Sequence, residues 1–202
     1  MGAGARCCLY HEHVLVKDAG CATVTPLHAD AAYYPLDGRV LSVWVALDAV
    51  GGAAAVRFWR RSHAAPLLPE GRLWAPRRFA GGELYADEGE PPPPGAPPPS
   101  ALAYAEAPVA PPPEAEREAL SWACAPGDAI VFDARTLHWA PGNAAMGAGP
   151  RRAVAFRYCE GRARLVSRPW APSPALRGEA AQAATAGEWL PPIQVQGEQP
   201  WE

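Results

Sequence analysis

Short apolar runs separated by turn residues recur along the chain, and this pattern predicts β-strands. Each run has strand length and is rich in valine, leucine or aromatic residues: Leu9 to Val16, Val40 to Leu47, Ala53 to Trp59, Ala129 to Phe132 and Val154 to Tyr158. Turn signals separate the first three runs, at Asp18-Ala19-Gly20, Asp37-Gly38 and Gly51-Gly52. Many short strands with little convincing helix predict a mainly β sandwich or barrel.

The middle of the chain follows a different pattern. Residues 64–121 contain the run Pro91 to Pro99, which has too few backbone donors and too little apolar surface to join a sheet. We predict an irregular surface insertion there, with one or two helical turns over Pro113 to Leu120. Residues 167–202 are rich in proline and alanine and predict a surface tail. The 202 residues fit one domain, with its core at about 9–63 and 122–166.

Charge and composition narrow the class of function. The formal net charge is -3 without a long run of like charges, which argues against a nucleic-acid partner. No apolar stretch approaches the roughly 18 residues of a membrane span, and Met1 to Arg6 does not resemble a signal peptide. The five cysteines are odd in number and lack C-x-x-C spacing, so we expect reduced thiols. We therefore expect a cytoplasmic protein that acts on a small molecule; the sequence does not fix its oligomeric state.

His28 and Asp30 form a His-x-Asp pattern just before an aromatic turn segment. On an extended chain, alternate side chains face the same side, so the imidazole and the carboxylate would converge. A third ligand would have to come from elsewhere, and His138 is available. Two histidines and one carboxylate leave adjacent coordination positions open, as in non-haem iron(II) oxygenases. A His-x-Asp tripeptide is common by chance, and each of the two histidines could instead be a structural residue that only forms hydrogen bonds.

An ordered set of motifs resembles the phytanoyl-CoA dioxygenase family. The matching residues, in chain order, are Lys17, His28-x-Asp30, Trp44, Gly127-Asp128, His138, Asn143 and Arg151. They fall within Leu9–His63 and Trp122–Tyr158, about half of the chain. The resemblance implies a double-stranded β-helix, a jelly-roll or cupin-like fold. It also implies iron(II), 2-oxoglutarate as co-substrate, and O₂.

The same resemblance assigns roles to individual residues. The family's iron ligands fall on His28, Asp30 and His138, and the arginine that anchors 2-oxoglutarate falls on Arg151. A guanidinium can hold a carboxylate through two parallel hydrogen bonds. Arg152 is the neighbouring alternative, but strand alternation lets only one of the two face the pocket, and we favour Arg151.

Four further residues are candidate contacts. Lys17 falls on a lysine position of the family and is the only lysine in the chain. His13 shares its strand face, and both are candidates for binding the oxoacid, as is Trp44. Tyr33 follows the His-x-Asp pattern closely enough to reach substrate. Simpler alternatives exist: Lys17 could be an exposed strand residue, and Trp44 could be an ordinary core residue. His13 could have no functional role, since the neighbouring His11 shows that a histidine in this segment can be incidental.

The resemblance therefore implies a dioxygenase that hydroxylates a small organic substrate and releases succinate and CO₂. In the family, Asp30 favours hydroxylation because related halogenases carry a small residue at that position. A degenerate, non-catalytic β-barrel that binds metal or oxoacid, or acts as a scaffold, is the alternative. It is kept because the family's helical N-terminal section has no counterpart here and Arg60-Arg61 replaces a Pro-Gly turn. A zinc hydrolase with the same ligands is a second alternative, although no general base is evident.

Overall fold

Two four-stranded antiparallel sheets dominate the computed structural model, which describes residues 7–76, 104–144, 149–166 and 168. The strands are β1 (Cys7–Lys17), β2 (Thr25–His28), β3 (Leu36–Asp37), β4 (Val40–Ala46), β5 (Arg57–Trp59), β6 (Leu73–Trp74), β7 (Tyr104–Ala105), β8 (Ala119–Leu120), β9 (Ala129–Asp133), β10 (His138–Ala140), β11 (Arg151–Glu160) and β12 (Arg164–Leu165). One α-helix, α1 (Pro113–Arg117), and two 3₁₀ turns, Ala31–Tyr33 and Gly52–Ala54, lie between them.

The sheet orders identify the fold. The larger sheet runs β1-β11-β4-β9 and the second runs β2-β10-β5-β8, so each sheet interleaves strands from both ends of the chain. This arrangement is the double-stranded β-helix, and the predicted fold class is confirmed. Two small sheets, β3 with β12 and β6 with β7, lie beside it.

Strict alternation along β4 and β11 selects the side chains that lie between the sheets. In β4 the buried positions are Val40, Ser42, Trp44 and Ala46, and in β11 they are Arg151, Ala153, Ala155, Arg157 and Cys159. Apolar members of both sets pack against Phe58 of β5 and Ala140 of β10, in the second sheet. A serine and two arginines therefore share an inward face with core residues, where burial requires that polar groups find partners.

Two predicted elements differ from the structure. The run Ala53 to Trp59 is not one strand: Gly52–Ala54 form a 3₁₀ turn and the strand begins at Arg57. Glycine and alanine are weak strand formers, and pairing with β10 starts only at Arg57 and Phe58. The helix predicted over Pro113 to Leu120 ends at Arg117, because Ala119 and Leu120 pair with β5 as β8.

The expected irregular insertion is ordered where it is described. Residues 64–76 and 104–121 contain β6, β7, α1 and β8. Leu68, Trp74 and Ala115 from this stretch are buried in one cluster with Leu137 and Trp139 of the segment around β10. Both ends of the insertion therefore support the second sheet. Pro91 to Pro99, Met1 to Arg6 and the predicted tail at 167 and 169–202 lie outside the described residues.

A buried corner built on Ser62 connects the end of β5 to β10. The Ser62 hydroxyl donates to Trp59 O at 2.8 Å and accepts the Leu137 backbone N–H at 2.8 Å. The Trp74 indole donates to Ser62 O at 2.8 Å. Arg61, where the family has glycine, adopts a φ of 62°, in the left-handed region that favours glycine. The corner holds the residue that precedes His138.

Two further features concern the cysteine thiols and the absence of a membrane-spanning helix among the described residues. All five cysteines are free, as their spacing predicts. Among the described residues, no helix has the length and apolar character needed to cross a bilayer.

Candidate metal centre

Pairing between β2 and β10 brings the two histidines together. His28 is the last residue of β2, His138 is the first residue of β10, and they are direct cross-strand partners. Asp30 lies just beyond the strand, with φ -70° and ψ -36°, at the start of the 3₁₀ turn Ala31–Tyr33. The carboxylate therefore converges with the imidazole because the chain turns after His28, and not through two-residue alternation along an extended strand.

The three side chains meet at one point. The ligand atoms of His28, Asp30 and His138 all lie within 4.8 Å of one another. Asp30 Oδ1 is 3.6 Å from His28 Nε2 and 3.8 Å from His138 Nε2. An ion with bonds of about 2.1 Å holds neighbouring ligand atoms about 3 to 4 Å apart, so this spacing suits a single ion. All three residues are buried.

Hydrogen bonds to the backbone orient both imidazoles. His28 Nδ1 lies 2.8 Å from Pro26 O, and His138 Nδ1 lies 2.9 Å from Thr136 O. A carbonyl accepts only, so each Nδ1 carries a proton and each Nε2 is directed at the Asp30 side. Burial, followed by the neighbouring His28, lowers the pKa of His138 to about 4. The neutral ring is the form that binds a metal.

Asp30 is held as a carboxylate by two residues of the larger sheet. Its Oδ2 accepts from Ser42 Oγ at 2.9 Å and from Arg157 Nη2 at 3.0 Å. Burial opposes the charge, but the Arg157 guanidinium and the two imidazoles outweigh it and hold the pKa of Asp30 well below its usual range. Arg157 Nε in turn donates to Tyr34 Oη at 2.6 Å. With Oδ2 engaged, Oδ1 is the oxygen that faces the histidines.

Ser42 and Arg157 are functional candidates that the motifs do not contain. One signal in the sequence points to Arg157: it has the same strand parity as Arg151, so it shares the inward face of β11. A charged residue on an otherwise apolar strand face needs a partner, which marks it for attention. Ser42 carries no comparable signal, since serine is common and uncharged.

The two candidate arginines occupy opposite faces of β11. Arg151 is buried, and its guanidinium donates to Ala54 O. Arg152 is exposed and forms a forked pair with Asp48, with Nη2 to Oδ1 at 2.7 Å and Nε to Oδ2 at 2.9 Å. Arg151, the favoured candidate, therefore lies on the inward face of β11, the same face that carries Arg157, the partner of Asp30.

Lys17 lies beside Arg151. The two residues are cross-strand partners in β1 and β11. Lys17 Nζ donates to Thr23 O at 2.7 Å and to Pro141 O at 2.8 Å, which ties the end of β1 to the chain after β10. Burial, followed by the Arg151 charge, lowers the pKa of Lys17 to about 8. Two adjacent cations create a positive region where an anion would be stabilised.

His13 faces between the sheets, and His11 faces the same way. Across the ladder, His13 is the partner of Ala155 and His11 is the partner of Arg157; the two imidazole centroids are 4.3 Å apart. The pKa of His13 is lowered to about 4, mainly by burial and then by the neighbouring His11 and Arg157. The Asp30 charge acts in the opposite direction. His11 therefore belongs to the same inward-facing group as His13.

The remaining candidates have defined positions. Trp44 is buried on β4 within the core between the sheets. The Tyr33 ring lies 6.3 Å from the His28 ring, centroid to centroid. Asn143 Nδ2 donates to Lys17 O at 3.1 Å and to Gly149 O at 2.8 Å, so Asn143 supports the turn after β10.

The fold and the site define this protein as a double-stranded β-helix with a buried cluster of two histidines and one carboxylate. The chain belongs to the phytanoyl-CoA dioxygenase family, whose model matches residues 5–153. Members of this family depend on iron(II) and 2-oxoglutarate. No curated protein sequence shows a significant match to the chain.

Solved structures with a similar fold include three non-haem enzymes. The alpha ketoglutarate-dependent carbocyclase SnoK from nogalamycin biosynthesis is 20% identical, with a TM-score of 0.58 over 94% of this chain and 61% of its own. The epimerase SnoN in complex with Fe³⁺, alpha ketoglutarate and nogalamycin RO is 24% identical, with a TM-score of 0.52 over 81% of this chain and 53% of its own. The monooxygenase ThoJ in its apo form is 17% identical, with a TM-score of 0.52 over 90% and 64%. This chain thus spans between half and two thirds of their lengths.

Proposed function

We propose that this protein is an iron(II)- and 2-oxoglutarate-dependent oxygenase that hydroxylates a small organic substrate. The observation that carries the proposal is the convergence of His28 Nε2, His138 Nε2 and Asp30 Oδ1 within 4.8 Å, with both Nδ1 atoms held by backbone carbonyls. Two neutral imidazoles and one carboxylate are the donor set of iron(II) oxygenases, and they occupy one side of the ion. The residues present therefore fit the metal that the family uses.

Hydroxylation is the finer part of the proposal. Bound iron(II) with 2-oxoglutarate would supply oxidative decarboxylation, which yields succinate and CO₂ and places an oxygen atom on the substrate. Asp30 favours this outcome because its carboxylate occupies the third protein position and leaves no room there for a halide. Ser42 and Arg157 hold that carboxylate through its other oxygen.

Arg151 and Lys17 would bind the co-substrate. Arg151 is buried on the inward face of β11, and Lys17 adds a second positive charge beside it. A dicarboxylic acid needs a cationic partner for the carboxylate that does not reach the ion, and a guanidinium offers two parallel donors. Trp44 and His13 would form walls of the oxoacid site, and Tyr33 would contact substrate.

The decisive experiment is to load the protein with iron(II) under anaerobic conditions and to measure succinate release after adding 2-oxoglutarate and O₂. We expect succinate that depends on all three additions, because uncoupled turnover does not require the natural substrate. Protein loaded with zinc(II) is the matched control and should release none. Preferential zinc binding with hydrolytic activity would favour a hydrolase, and failure to bind either metal would favour the scaffold alternative.

Two neighbouring arginines provide a matched test of oxoacid binding. Replacing Arg151 with glutamine should raise the KM for 2-oxoglutarate about 10- to 100-fold, because a hydrogen bond to a charged group contributes roughly 1.5 to 3 kcal/mol. Arg152→Gln should leave that KM unchanged, since Arg152 pairs with Asp48 at the surface. Steady-state succinate release measures both values. Equal effects of the two substitutions would remove Arg151 from the binding role.

A further inference from the structure

A cavity of about 380 Å³ lies between the β3 segment and the β6–β7 pair. Four arginines line it: Arg39, Arg72, Arg135 and Arg168. Cavities of a few hundred cubic ångströms are large enough for small ligands. The concentration of guanidinium groups in one cavity is the feature that requires an explanation.

The cavity carries an excess of positive charge. Arg135 is neutralised by a forked pair with Asp133, at 2.9 and 2.8 Å. Arg168 donates to the carbonyls of Tyr34 and Leu36, which position it without compensating its charge. Within the part of the chain that the structure describes, the side chains of Arg39 and Arg72 make no hydrogen bond or ion pair.

The nearby carboxylates do not cancel this charge. Asp37 is the one acidic residue among the described residues that line the cavity. Glu160 does not line the cavity but lies next to it, since its Oε1 accepts the Arg39 backbone N–H at 2.9 Å. Counting both, three guanidiniums without an acidic partner face two carboxylates. Arg39 is exposed, and Arg72 and Arg168 are partly buried, so their guanidinium groups are accessible to a ligand. Like charges gathered in one cavity attract a counter-ion.

The cavity is built on the same two segments that carry the metal-binding residues. Its β3 wall follows Asp30 along the chain, and Arg135 precedes His138 on the loop from β9 to β10. These segments are joined by a backbone hydrogen bond from Ala31 N to Ala134 O, at 2.9 Å. A molecule bound in the cavity would therefore lie against the loops that shape the metal centre.

We propose that this arginine pocket binds a phosphate-class oxyanion carried by the substrate. A guanidinium presents planar, forked donors that match phosphate oxygens, and an anion complements the positive excess. Arg39 and Arg72 supply the donors that have no other partner among the described residues, while Arg168 and Arg135 are held in place by their own contacts. That the anion belongs to the substrate rests on the proposed function; the anion site itself does not.

Calorimetric titration of the metal-free protein with pyrophosphate, in low salt, tests the site directly. Wild-type protein should bind one equivalent, and the Arg39→Gln/Arg72→Gln double variant should bind at least about tenfold more weakly for each guanidinium removed. Arg117→Gln, on the exposed surface of α1 outside the pocket, is the matched control and should bind as wild type does. Should the double variant melt below wild type, Arg72→Gln alone replaces it. No binding by wild type, or equal binding by the double variant, would overturn the inference.

Two further arms identify the source of the anion. An alkyl phosphate that binds more tightly than inorganic phosphate supports a substrate-borne group, whereas the reverse order overturns that assignment. Displacement of pyrophosphate by equimolar 2-oxoglutarate would assign the pocket to the co-substrate and would also overturn the proposal. Pyrophosphate binding without any 2-oxoglutarate-dependent succinate release would leave the anion site standing and contradict the proposed oxygenase. The two failures are therefore distinguishable.

Discussion

Replacing Asp30 with asparagine should lower iron(II) affinity by more than about 100-fold and abolish succinate release, beyond the roughly 10- to 100-fold typical of residues that only support a ligand. The reason lies in the hydrogen bonds of the second oxygen. Ser42 and Arg157 both donate, so they would retain the single amide oxygen of the asparagine. The amide NH₂ group would then face His28 and His138, and it has no lone pair to offer an ion. Anaerobic titration with iron(II), or with cobalt(II) followed by visible absorption, measures the loss.

The matched control is Asp48→Asn. Asp48 also accepts from an arginine, Arg152, but at the surface and away from the histidines. We expect its metal affinity and succinate release to equal those of wild type. An Asp30→Asn protein that bound iron(II) as tightly as Asp48→Asn would remove Asp30 from the ligand set.

Replacing Arg157 with glutamine should destabilise the metal-free protein by about 3 to 5 kcal/mol, because it leaves the Asp30 carboxylate buried without its cation. Arg157 holds the pKa of Asp30 below its usual range. A carboxyl with a depressed pKa contributes stability above its unfolded pKa of about 3.9 and loses it as the pH falls through and below that value. The difference between wild type and variant should therefore be full at pH 7, persist down to about pH 4 and shrink only below that value. Urea unfolding at several pH values measures it.

Two controls separate this effect from a general loss of packing. Arg152→Gln breaks an exposed pair, which solvent screens, and should change the free energy of unfolding far less than Arg157→Gln does. The double variant Asp30→Asn/Arg157→Gln should lose less stability than the sum of the single variants, because the uncompensated charge is gone. A divalent ion should recover part of the stability lost in Arg157→Gln, since it supplies positive charge to the same carboxylate. A loss no larger than that of Arg152→Gln would mean that the buried pair makes no net contribution.

Local patterns were sufficient for the parts of the fold and site that depend on neighbouring residues. Alternation along the last long strand separates Arg151 from Arg152, and the structure buries the first and exposes the second. His28 and Asp30 are close in sequence, so a single turn brings them together. The ordered family motif supplies His138, which no local pattern connects to His28.

Contacts between distant segments could not be read from the sequence. Arg157 pairs with Asp30 because β11 lies beside β4 and the turn after β2 brings Asp30 against the inward face of these two strands. The break before β5 was also hidden, since Ala53 to Trp59 has the composition of a strand, while the hydrogen bonds that define β5 come from β10 and β8. Lys17 shows a different limit: its position beside Arg151 follows from the register, but its bonds to backbone carbonyls do not.

The Ser62 corner has a consequence for engineering. One hydroxyl fixes both the end of β5 and the amide of Leu137, directly before His138, while the Trp74 indole holds the same residue's carbonyl. Grafts intended to change substrate preference should therefore keep residues 59–62 and Trp74 and exchange only the chain beyond them. If the exchanged segment began at Trp59 instead, the hydrogen bonds of Ser62 that position Leu137 and His138 would be lost. We expect most such variants to be inactive, regardless of the loop sequence introduced.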